Sequence, residues 1–197
     1  MKNAIQLLSL STATALLSGC LSLSAEAPTE TNWTINFEPA PRQTTVAAAE
    51  SPSRGSVRVS QVLVRAPYDA REFAVMRADG SLAFDAYNRF AAQPAALLKG
   101  AIQDAFLSQG AFRAAIPASS QLTADVTAET TVTRLALDCR EPGKRHAVVE
   151  LSVLLLKGRA VFASARGEGR ADAADGNYSC AFSQAFSQAM TAALAEL

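Results

Sequence analysis

The clearest pattern in the chain is alternation. Within residues 145–157, Ala147, Val149, Leu151, Val153 and Leu155 hold every second position, the period of a strand with one face in a core. Similar segments flank it. Residues 121–139 carry Leu122, Ala124, Val126 and Val132 on one parity and Leu135 and Leu137 on the other, a change of phase that a bulge near Thr133-Arg134 would produce. Residues 159–171 place Val161, Ala163 and Ala165 together. Glu141-Pro142-Gly143 and Lys157-Gly158 separate the segments, so the three predict an antiparallel meander.

Upstream, residues 31–37 alternate well enough for a first strand, followed by a loop marked by Pro39, Pro41, Pro52 and Gly55. Residues 56–66 shift phase between Val57/Val59 and Val62/Val64, which predicts a second bulge near Ser60-Gln61. Pro67-Tyr68-Asp69 then turns the chain into a partner strand, 72–78, with Phe73 and Val75 on one face, and Asp79-Gly80 is a hairpin turn signal.

Two segments have a helical period instead. Pro94 opens one, where its missing N–H costs nothing; Leu98, Ile102 and Phe106 recur every fourth residue beside Ala101 and Ala105, and Gly110 stands at the place of a left-handed cap. The other follows Asp175-Gly176-Asn177, with a stripe of Phe182, Phe186, Met190 and Leu194 backed by Ala185, Ala189 and Ala193. That stripe reads as core packing rather than a ligand pocket. The order predicts an α+β fold, a two-layer sandwich of a mainly antiparallel sheet with two helices packed on one face.

The first residues are of another kind. Lys2 precedes an uncharged stretch, 4–17, rich in Leu, Ala, Ser and Thr. It has the length of a signal-peptide apolar region and falls short of the roughly 20 residues a bilayer span needs. It ends at Leu17-Ser18-Gly19-Cys20, small residues followed by a thiol that can take a diacylglycerol. Residues 1–19 are therefore expected to be a signal peptide and Cys20 a lipidation site. Residues 20–30 are expected to be a lipidated tether, and 31–197 the folded domain. An Asp just after a lipidated Cys tends to retain a lipoprotein in the inner membrane; Leu21 stands there instead, so the expected location is the outer membrane, facing the periplasm.

Charge narrows the choice of partners. Lys plus Arg equals Asp plus Glu at 18 each, and processing would remove only Lys2, leaving 17 basic against 18 acidic side chains. Such a balance gives no wholesale attraction to nucleic acid, and a single Trp, Trp33, supports no base-stacking platform. With Cys20 committed to lipid, Cys139 and Cys180 are left as partners in an oxidising compartment, so a disulfide between them is expected. A buried pair of free thiols or a metal half-site is the alternative.

No catalytic set emerges. His146 is the sole histidine and no Gly-x-Ser-x-Gly elbow accompanies it. Glu141-Pro142-Gly143-Lys144 lacks the upstream glycine and the following Ser/Thr of a phosphate loop. Glu168, Asp172 and Asp175 lack the ligand spacing of a calcium loop. The expectation is a protein that is not an enzyme and carries no metal or cofactor.

The middle of the chain carries a resemblance. Val62-Leu63-Val64-Arg65-Ala66-Pro67-Tyr68, then Arg71-Glu72-Phe73-Ala74-Val75, then Tyr87-Asn88-Arg89-Phe90-Ala91-Ala92-Gln93-Pro94, resemble the ABC-type transport auxiliary lipoproteins, the outer-membrane lipoproteins associated with MCE-domain proteins. Phe90 stands where that family usually has Trp, and the spacing before Pro94 is longer. The resemblance implies a non-enzymatic partner of an MCE-domain protein and an inner-membrane ABC or related transporter, moving lipids or hydrophobic solutes between membranes. A homo-oligomer is a further option. Strand edges around residues 71–78 and the Arg89-Phe90 pair are then docking candidates, unless Arg89 and Phe90 only fix the helix start. A structural or assembly lipoprotein, such as an LPS-assembly factor, is the rival reading.

Overall fold

The structure, a computed structural model, describes residues 29–39 and 54–197. In chain order it contains β1 (Thr31–Trp33), β2 (Arg54–Val64), β3 (Glu72–Arg77), β4 (Leu82–Phe90), α1 (Pro94–Ser108), β5 (Phe112–Ala115), β6 (Val126–Cys139), β7 (His146–Lys157), β8 (Ala160–Asp172) and α2 (Tyr178–Glu196). The expected signal peptide, Cys20, most of the tether and the loop around Pro41 and Pro52 lie outside the described residues.

Alternation located the strands of the second half well. β6, β7 and β8 form the meander, with Ala128, Leu155 and Ala163 in one row. Both expected bulges are present: the register of β6 against β7 shifts between Val132 and Arg134, and that of β2 against β6 between Val59 and Gln61.

The sheet is mixed, which corrects the expectation of a mainly antiparallel one. β6 is where it divides. One edge of β6 pairs antiparallel with β7; the other is shared, the first half by β2 and the second by β3, both parallel. β5 continues parallel from β2, while β4 pairs antiparallel with β3 and β1 parallel with β4. Residues 56–66 and 72–78 therefore do not form a hairpin. After a cis peptide at Ala66–Pro67, the turn carries the chain from one half of the β6 edge to the other instead of back upon itself. Apolar alternation fixes which face of a strand is buried but not which strand lies beside it.

Both helices cover one face of the sheet. Leu98, Ile102 and Phe106 of α1 and Phe182, Phe186 and Met190 of α2 are fully buried there with Val57, Val59, Val149 and Val153. Gly110 follows α1 with φ +69°, and Asn177 caps α2 through its side chain, which accepts the Cys180 N–H. At the centre, Phe73 stacks against Phe90 and Phe182 with ring centroids 4.6 and 5.0 Å apart.

The closest approach is between α2 and β8. Ala165, Gly167, Gly169 and Ala171 present one small residue every second position, and Ala181, Ala185, Ala189 and Ala193 one every fourth. Two strand residues span about 6.6 Å and four helical residues about 6.0 Å, so the rows stay in step. A Cβ on Gly169 would stand 1.8 Å from the Ala185 carbonyl oxygen, and one on Gly167 1.8 Å from that of Ala189.

Two expected core residues are outside the core. Leu122 precedes β6 and is 68% exposed. Val161 is 63% exposed because a bulge at Phe162 pairs it with Leu156, on the uncovered face, instead of leaving it in the row of Ala163.

Candidate anchor junction and docking surfaces

The described residues nearest the expected lipid anchor are bolted to the domain. β1 pairs with Asn88, Arg89 and Phe90. Beyond it, an extended strap, residues 34–38, runs along α2. The Ser179 hydroxyl donates to the Thr34 carbonyl (2.9 Å), the Ser183 hydroxyl accepts the Asn36 N–H (3.0 Å), and the Ser187 hydroxyl accepts the Glu38 N–H (2.8 Å). The 2:4 match of extended chain to helix recurs, now with serines instead of alanines. Ile35 is buried, and Trp33 and Phe37 meet Tyr178 and Phe186 edge to face. Serines recurring every fourth residue along the helix were visible in the sequence, but nothing there marked them as a track for a second segment.

Some of the residues behind the family resemblance, Arg71 and residues 88–91, meet at this joint. Arg71 donates through Nε to the Phe90 carbonyl (2.9 Å) and through its terminal nitrogen to Asn32 Oδ1 (2.9 Å) and the Ala91 carbonyl (3.3 Å). Arg89 pairs with Glu30, Trp33 Nε1 donates to Asn88 Oδ1, and the Ala91 N–H donates to the Trp33 carbonyl. Phe90 is in the core and Pro94 opens α1. The expectation that residues 71–78 form an exposed edge is overturned: β3 is flanked by β4 and β6 on its two sides. Arg89 and Phe90 hold Glu30 and β1 against the segment that leads into the helix start.

A second constellation lies on the uncovered face, at the end of the sheet where β6 finishes. Asp138, 3% exposed, accepts from Nε and a terminal nitrogen of Arg140 (2.9 and 2.8 Å) and from Arg170 (2.9 Å). The hydrogen bonds from Arg140, with those of its backbone and of Arg170, outweigh burial and hold the carboxyl well below the usual carboxylate range. His146 opens β7, in one row between Asp138 and Asp172. Among the described residues no three of His, Cys, Asp and Glu are grouped to hold a metal.

Elsewhere on the uncovered face lie shallow clefts with polar linings. Two clefts of about 520 and 620 Å³ share Ser152 and Arg166; Glu150 and Glu168 line the first, Glu129 and Glu196 the second. Arg134 and Glu150 form an ion pair across it (2.7 Å). A third cleft of about 560 Å³ continues the strap's track past Pro39, lined by Gln184, Gln188 and Thr191. Of the described helices, none is long and apolar enough to cross a membrane.

The expected disulfide is absent: Cys139 and Cys180 are both free. Each thiol is engaged on its own element. Cys180 Sγ accepts from Gln184 Nε2 one helical turn on (3.2 Å), and Cys139, at the end of β6, is half-buried against the core, where desolvation pushes its thiol pKa up. Both are expected to take up maleimide in the unfolded, unreduced protein, read by peptide mass spectrometry; a linked peptide pair would contradict the structure.

No family model and no curated protein matches the chain. Solved structures do. The crystal structure of protein XCC0632 from Xanthomonas campestris, described as DUF330, is 20% identical, with a TM-score of 0.63 over 83% of this chain and 91% of that one. An uncharacterized protein is 18% identical, with a TM-score of 0.56 over 79% of this chain and 93% of that one. At such identities the likeness is one of fold: the chain has the fold of the Xanthomonas DUF330 protein.

Proposed function

We propose that this chain is a lipid-anchored, periplasm-facing auxiliary component of an ABC/MCE-type transport system, moving lipids or hydrophobic solutes between the inner and outer membranes. DUF330 is the label under which the auxiliary lipoproteins resembled by residues 62–94 are grouped, so sequence motif and fold point the same way. The observation that carries the reading is where the motif residues stand. Arg71, Arg89 and Phe90 fasten Glu30 and β1, the segment that leads back toward Cys20. Thr29 is nine residues after Cys20, a stretch that extends to at most about 31 Å and keeps the domain close to the membrane that takes the acyl chains.

On this reading the protein is not an enzyme. Energy comes from the inner-membrane transporter, and the domain supplies a fixed surface for an MCE-domain protein. Cells making the chain should incorporate labelled palmitate into it, and Cys20→Ala should abolish both the label and flotation with outer membranes while the domain's circular dichroism is unchanged. Unlabelled wild-type protein released with the soluble periplasmic fraction would sink the anchor.

A further inference from the structure

Large apolar side chains are exposed at both ends of the sheet, and one of these groups stands near β1. In β4, Leu82, Phe84 and Tyr87 are 37%, 50% and 48% exposed. Their neighbour Asn88 pairs with Thr31 and accepts from Trp33, so the group lies next to the first described residues of the chain. Its backbone is shaped for display. Between the pairs Glu72–Arg89 and Ala74–Phe84 the two strands fall out of register, and the extra β4 residues form a turn in which Asp85 accepts from the N–H groups of Tyr87 and Asn88 (2.8 and 2.9 Å). Tyr87 stands at that turn. Phe84 and Leu82 share rows with Ala74 and Met76 on the uncovered face.

We infer that this β4 surface rests on the lipid headgroups of the membrane that holds the anchor. The inference builds on the anchored reading above and names the surface that touches the bilayer. Three features commit it to lipid. Residues are described from Thr29, two before the Thr31 that pairs with Asn88, and nine residues reach at most about 31 Å from the acylated position, so this end of the sheet is the one kept near the bilayer. An aromatic and a branched aliphatic side chain on a strand, with a phenol at the adjoining turn, are the set that settles at the headgroup boundary. Finally, Arg170, in the row of Phe84 on β8, and Arg140, next to the row of Leu82, leave half-exposed guanidinium groups on the same face, and the carboxylate they share, Asp138, is buried. Asp79, exposed at the β3–β4 turn and engaged by Ser81, limits the contact to the headgroup layer.

A second pair of exposed apolar side chains is the internal control. Val161 and Phe162 lie at the β7–β8 hairpin, in register with the beginning of β6, whereas Leu82 and Phe84 align with its end. Full-length acylated protein would be reconstituted into vesicles of phosphatidylethanolamine and phosphatidylglycerol, with and without acyl chains brominated near the headgroup. Phe84→Trp should add a blue-shifted emission quenched about twofold by the brominated lipid, while Phe162→Trp should add one that is not quenched. Equal quenching at the two positions, or none at position 84, overturns the inference. Failure of wild-type protein to float with the vesicles refutes the anchor itself, and with it the β4 contact.

Discussion

Gly169→Ala is expected to destabilise the domain by more than about 3 kcal/mol, the upper end of what overpacking costs, and Gly167→Ala to do the same. The cause is geometric. Each new methyl would sit 1.8 Å from a backbone carbonyl oxygen of α2, and backbone cannot give way as a flexible side chain does. Relief requires the helix to lift from β8, which opens the row of Ala181, Ala185, Ala189 and Ala193, all buried, and pulls on the serines that hold the strap. The double substitution should leave no cooperative unfolding transition. Gly100→Ala in α1 is the contrast, since a methyl there meets nothing within 4 Å and should gain about 0.5–1 kcal/mol. Urea denaturation followed by circular dichroism reads all four proteins; a Gly169→Ala midpoint equal to wild type would mean that α2 does not lie on β8 as described.

Asp138→Asn should cost about 2–3 kcal/mol at pH 7, below the cost of breaking a fully buried ion pair because the two guanidinium groups are about half exposed. The sign with pH follows from the depressed carboxyl. A group whose folded pKa lies below its unfolded value stabilises above the unfolded value, about 3.9, and that contribution is lost as pH falls from there toward the folded one. Wild type should therefore lose more stability than Asp138→Asn between pH 5 and pH 3. Parallel losses would mean that the Asp138 carboxylate does not stabilise the fold.

These two sites mark the limit of what the sequence could tell. β7 was legible because it is flanked on both sides and buries one clean parity, and the bulges of β2 and β6 were legible because each leaves a change of phase. β4 escaped notice because its turn at Asp85–Asn88 breaks the alternation, and β5 because four residues, Phe112–Ala115, are too few to show a period. The role of glycines 167 and 169 depends on a helix that arrives later in the chain. The Ser179, Ser183 and Ser187 track depends likewise on a partner more than a hundred residues away. The resemblance cast part of 62–94 as an exposed docking edge, but β3 is enclosed by β4 and β6, and Arg71 and Arg89 turn to Asn32 and Glu30.

The transport role stands or falls with the partner. Chemical crosslinking in intact envelopes, followed by recovery of this chain through an affinity tag, should bring down an MCE-domain protein, and Cys20→Ala should lose it although the domain stays folded. Recovery of LPS-assembly proteins with no MCE-domain protein would contradict the transport role and favour an assembly lipoprotein in its place.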